Sequence, residues 1–124
     1  MGSFHPRPLA HRERALLDGA LESLGPDAPR WRDQAARAVV VRVCECGCGT
    51  IDFGYPGEEN PGVGAGVTVL ADGIYEEGGL PFDVLLFAME GRLSSLEIVP
   101  PARDSPKTYP ESGRVKWLPG PHGT

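Results

Sequence analysis

Between Pro8 and Leu24 the apolar residues Leu9, Leu16, Leu17, Ala20, Leu21 and Leu24 fall on one stripe at helical spacing, with charged residues between them. The pattern predicts a helix over 8–24, with Pro8 in its first turn and Gly25-Pro26 as the stop. Gly19 inside it costs about 1 kcal/mol relative to alanine. Asp27 then caps a shorter helix over 28–38, with Pro29 in its first turn. Trp31, Ala35 and Ala38 share one face of it, and Gln34 sits beside that face, placed to hydrogen-bond a buried group.

At Val39 the period changes from helical to two. VVVRVC is β-branched and reads as a strand. In TIDFGY, Ile51, Phe53 and Tyr55 alternate with Thr50, Asp52 and Gly54, which predicts a second, half-buried strand. The intervening ECGCG is a hairpin connection, because its glycines allow positive φ. Residues 56–66 are a loop by composition, and 67–71 a third strand. Residues 72–81 read as a connection holding a short edge strand at Ile74-Tyr75. FDVLLFAM (82–89) is apolar on both faces, as in a central strand. Glu90-Gly91 turns the chain, and 92–99 returns with Leu96 and Ile98 on one side, Ser95 and Glu97 on the other. From Pro100 the prolines exclude a central strand or a helix interior, and Val115 and Trp117 can tie this segment down.

The fold class is therefore α+β: two N-terminal helices packed on a four- to five-stranded antiparallel sheet, with a Pro-rich C-terminal tail. The 124 residues read as a single domain, helical over 8–38, sheet over 39–99 and extended tail over 100–124. A chain of this length buries roughly two-thirds of its unfolded surface, enough for one core without staples.

Charge sharpens this picture. Residues 1–42 carry seven arginines and five acids, 43–99 carry ten acids against Arg92 alone, and 100–124 carry four bases and two acids. The acidic middle repels phosphate backbones, which argues against nucleic acid, and attracts a basic protein partner. Basic end segments folded beside it would cancel part of that charge. No window approaches the roughly 20 apolar residues of a membrane span, and the N-terminal stretch has no apolar leader region, so the expected location is cytoplasmic, with thiols reduced. Three cysteines cannot all pair within one chain.

ERALLDGAL, then WRDQAARAVVVRVCECGCGTIDF, then DVLLFAMEGRLSSLEIV give the chain a recognisable order. It resembles a set of short actinobacterial proteins with a leucine-rich first helix, an arginine–glutamine segment (here Arg32 and Gln34), a cysteine-glycine-cysteine turn (Cys46-Gly47-Cys48) and a terminal hairpin like GRLSSLEIV (Gly91–Val99). The resemblance spans most of 12–100 and implies a single domain. It brings no activity with it.

Candidate chemistry centres on Cys44, Cys46 and Cys48. Thiolates at alternate positions can chelate one soft metal, zinc first, with a fourth ligand from His5, His11, His122, Glu45 or Asp52. A Cys46–Cys48 disulfide would close a small, strained and easily reduced ring. Alternatively the thiols pack as small hydrophobes under a glycine turn. If strand alternation continued, all three would share a face with Arg42. GVGAGV (62–67) lacks glycine at its sixth position and the strand and helix of a dinucleotide fingerprint, so it reads as a loop. Glu58-Glu59 and Glu76-Glu77 read as solvated loop pairs. Cys48 with His11 or His122 would be the components of a small hydrolase, but no catalytic motif joins them. Trp31 and Trp117 read as packing anchors. The leading expectation is a non-catalytic interaction module, monomer or homodimer, whose acidic sheet portion meets a basic partner. A zinc or thiol-redox role of the cysteine turn is the alternative.

Overall fold

The computed structural model describes residues 6–45, 47–58, 66–102, 104–105 and 108–118. Two helices, α1 (His11–Glu22) and α2 (Ala28–Arg37), are joined through a 3-10 turn at Gly25–Asp27. Six strands follow: β1 (Val39–Val43), β2 (Ile51–Gly54), β3 (Val67–Glu77), β4 (Leu80–Met89), β5 (Arg92–Val99) and β6 (Lys116–Trp117). They form one sheet in the order β1-β2-β5-β4-β3-β6, every neighbouring pair antiparallel. The class is α+β, and the sixth strand comes from the Pro-rich tail.

The helix ends differ from their sequence signals. Pro8 precedes α1, and the helix start is held by Glu13, whose carboxylate accepts the Ala10 N–H at 2.8 Å. This is the returning half of a capping box. Arg7 forks onto the same carboxylate at 2.8 and 2.9 Å and pairs its backbone with Val40, so the segment before α1 is tied to the edge of β1. Burial pushes the Glu13 carboxyl up, but the hydrogen bonds from Arg7 and the Ala10 amide outweigh it and hold the group below its ordinary range. Asp27 occupies the cap position of α2 without a side-chain cap bond.

The helices cover one face of the sheet. Leu16, Leu17 and Leu21 of α1 and Trp31 and Ala35 of α2 pack against Val40, Phe53, Val84, Leu86, Leu93 and Leu96 in a single core. Gln34 is the polar exception at this contact. Its Nε2 donates to the Gly91 carbonyl at 2.7 Å, and its Oε1 accepts the Leu93 N–H at 2.8 Å. The Tyr55 hydroxyl donates to the Leu93 carbonyl at 2.8 Å, and burial pushes its pKa up to about 12.

Residues 72–81 are not a connection. β3 runs unbroken to Glu77 and meets β4 through Gly78-Gly79, both at positive φ. The glycine inside β3, Gly73, has a packing reason. A Cβ there would lie 2.6 Å from Val115 Cγ1 and 2.8 Å from the Trp117 ring, so its absence lets the tail close on the strand. Trp117 pairs with Gly73 and Lys116 with Ile74, which makes residues 116–117 of the tail a strand and shows Val115 and Trp117 as its anchors. Glu76 and Glu77 consequently lie in a strand. Glu77 accepts the Tyr75 hydroxyl at 2.6 Å, and Arg114 stacks on the Tyr75 ring.

Candidate functional site

Alternation along the strands sends Leu86, Val84, Leu96 and Ile98 toward the helices and their neighbours to the other side of the sheet. Among the described residues no helix covers that second side. The cross-strand registers lay its residues out in rows. The first row is Arg42, Asp52, Ser95, Phe87 and Val69. The second is Glu97, Leu85 and Asp72. The third is Val99, Asp83, Ile74 and Lys116, and Glu76 lies beyond it opposite Pro81. Leu85, Phe87 and Val69 are half-buried, while Ile74 and Val99 are 37% and 39% exposed. The apolar character of both faces of 82–89 is thus real, but only one face is covered by helix. Position in the sheet gave the other its apolar residues without hiding them.

Among the described residues five carboxylates stand on this bare face (Asp52, Glu97, Asp72, Asp83, Glu76) against two cations, Arg42 and Lys116. Arg42 pairs with Asp52 at 2.7 Å. Among the described residues the other four make no ion pair. Glu97 is the central one, opposite Leu85. Among the described residues its carboxylate accepts one hydrogen bond, a long one of 3.4 Å from the Ser95 hydroxyl. Burial, with Asp52 adding like charge, raises its carboxyl above the ordinary range, and Ser95 only partly offsets this. A carboxylate in that state has lost solvation without gaining a cation.

Beyond the Arg42–Asp52 pair, further cancellation of the acidic middle lies elsewhere. Glu58 sits between Arg37 and Arg92, and Arg114 lies 3.6 Å from Glu77. These pairs leave the bare face untouched.

The cysteine turn closes between Cys44 and Thr50, where the Cys44 N–H donates to the Thr50 carbonyl at 2.9 Å. Strand alternation stops at Val43, and Gly47 and Gly49 take positive φ, so the condition for a shared face, continued alternation, is not met. Cys44 is exposed, whereas Cys48 is buried with its thiol 3.2 Å from the Thr50 hydroxyl. Gly49 is required there, because a Cβ would come within 3.0 Å of Ile98 and of the Tyr109 ring. Cys46, His5 and His122 lie outside the described residues, as do Glu59 and residues 59–65 of the glycine loop. His11 opens α1 in an exposed position, Glu45 is exposed, and Asp52 is engaged by Arg42. Among the described residues no three Cys, His, Asp or Glu side chains gather as a metal-holding group. Among the described residues no helix is long and apolar enough to cross a membrane.

Sequence reasoning placed Ser95 and Glu97 away from the core but did not connect them to Asp52, Asp83 or Glu76. Register across four strands was the missing information. No family model, curated protein or solved structure matches the chain.

Proposed function

We propose that the bare sheet face is a docking surface for a basic protein partner and that the protein acts as a non-catalytic interaction module. The observation that carries this reading is Glu97: a half-buried carboxylate among Leu85, Val99 and Ser95, with no cation beside it among the described residues. A partner's guanidinium or ammonium supplies the missing charge, and the flanking apolar side chains supply the desolvated surround that makes such a contact count. A second copy of this chain is disfavoured as the occupant, since a twofold contact would set carboxylates against carboxylates.

The test uses a nine-arginine peptide and amide chemical shifts. The expected outcome is movement of the amides of β4 and β5, with an association rate that falls steeply with salt while dissociation changes little. Glu97→Gln with Asp83→Asn weakens the response. Shifts confined to the helices, or an association rate indifferent to salt, would remove the reading.

A zinc site on Cys44, Cys46 and Cys48 is the second reading. It is supported by Cys44 standing at one end of a single turn with Cys48 near the other, and is tested by elemental analysis of untagged protein.

A further inference from the structure

On the bare sheet face Asp52, Glu97, Asp83 and Glu76 come from β2, β5, β4 and β3 in turn. The registers place each one strand over and two residues along from the last. They form a diagonal across the sheet. Parallel to it, one strand away, run Ser95, Leu85 and Ile74, and Phe87 lies just outside. The face therefore carries an acidic diagonal beside one that is apolar at Leu85 and Ile74.

Building on the proposed docking role of this face, we infer that its occupant is an extended segment of a basic protein, with cations at alternate residues and apolar side chains between them. Geometry selects the extended form. A strand step of ~4.8 Å and a two-residue step of ~6.7 Å set successive carboxylates ~8 Å apart at the backbone. In an extended chain alternate side chains lie ~6.7 Å apart and point the same way, a difference that long arginine or lysine side chains absorb. Along an α-helix, ~8 Å is about five and a half residues, which turns the next side chain to the opposite side of the helix. An extended segment laid along the diagonal sends one set of side chains to the carboxylates and the alternate set to Leu85 and Ile74. Charge sets the polarity of the partner, since among the described residues the face holds five acids to two bases and Arg42 already serves Asp52.

The experiment titrates the full chain with two peptides of identical composition, one alternating four arginines with valines and one with the four arginines contiguous. The expected result is at least tenfold tighter binding of the alternating peptide, lost in Glu97→Lys with Asp83→Lys. An alternating glutamate peptide then binds that variant and not the original. Circular dichroism confirms that these surface changes leave the fold intact. Equal affinity of the two arginine peptides, with amide shifts still on β4 and β5, would overturn the extended, register-matched occupant while the docking face stands. Failure of the alternating, contiguous and nine-arginine peptides alike to move β4 and β5 would overturn both. A concentration-dependent dimer in sedimentation that is abolished by Leu85→Ser would also overturn the inference, by making a second copy the occupant.

Discussion

Gln34 on α2 and Leu93 on β5 are 59 positions apart in the chain and are joined by a 2.8 Å hydrogen bond from the Leu93 N–H to Gln34 Oε1. The Leu93 carbonyl is taken by Tyr55, so both backbone groups of one core strand residue are satisfied by side chains. Gln34→Leu leaves the Leu93 N–H and the Gly91 carbonyl without protein partners. The expected cost is about 1–3 kcal/mol in urea unfolding. A loss under half a kilocalorie would mean that water replaces the amide.

Leu86 lies fully buried on β4 between β5 and β3. Leu86→Ala is expected to cost about 2–5 kcal/mol, set by how far the core can collapse around the gap. Phe87→Ala, one residue on and facing the bare side, is expected to cost less. The two unfolding midpoints, compared in one buffer, separate the covered face from the uncovered one.

Glu13 gives a pH signature. Its folded pKa lies below the ordinary glutamate value of 4.5 because the Arg7 and Ala10 hydrogen bonds outweigh burial. The unfolded chain therefore takes up the proton first as pH falls. The stabilisation is complete above the ordinary value and is lost as pH drops through the lowered one. Glu13→Gln should flatten part of the acid limb of a stability–pH curve, with its largest deficit at neutral pH. An unchanged acid limb would place the acid sensitivity elsewhere.

Glu97 has the opposite sign. Its folded pKa is raised, first by burial and then by Asp52, so its charge opposes folding once pH passes the ordinary carboxylate value. Glu97→Gln should raise the melting temperature at pH 7 and leave it nearly unchanged at pH 4. Lower stability of the variant at pH 7 would show that the charge has a partner in the folded chain.

The cysteines should separate by reactivity. Cys44 is exposed and Cys48 buried, so an alkylating reagent is expected to label Cys44 at least tenfold faster under native conditions, with peptide mass spectrometry reading each site. One equivalent of bound zinc that shields the thiols until chelator is added would establish the metal reading instead.

Much of this architecture is legible along the chain, because helical and strand periods differ and the core stripes obey them. Trp31, Ala35 and Ala38 share a buried face as their spacing requires, and Gln34 reaches a buried backbone. The break assigned to 72–81 fails for a physical reason. Gly73 and Asp72 look like turn residues, yet the glycine is there to admit Trp117, a contact made by a residue 44 positions later. The apolar run 82–89 reports the chemistry of both faces without saying which one is covered. The carboxylate diagonal is invisible in one dimension, since its members are spread from position 52 to position 97 and meet only through register.

The strand order also bears on how the chain reaches this state. β3, β4 and β5 form a meander whose pairings are local, while the β1–β2 hairpin joins it at Ile51↔Leu96 and Asp52↔Ser95. Along that junction the side chains of Gln34 and Tyr55 do part of the bonding that a longer backbone ladder would do. The meander closes short loops and can form early; the hairpin must bring its ends across more chain and docks later. In native-state hydrogen exchange the junction is then the hinge of the first cooperative opening, with the hairpin and α2 releasing together while the meander retains its protons.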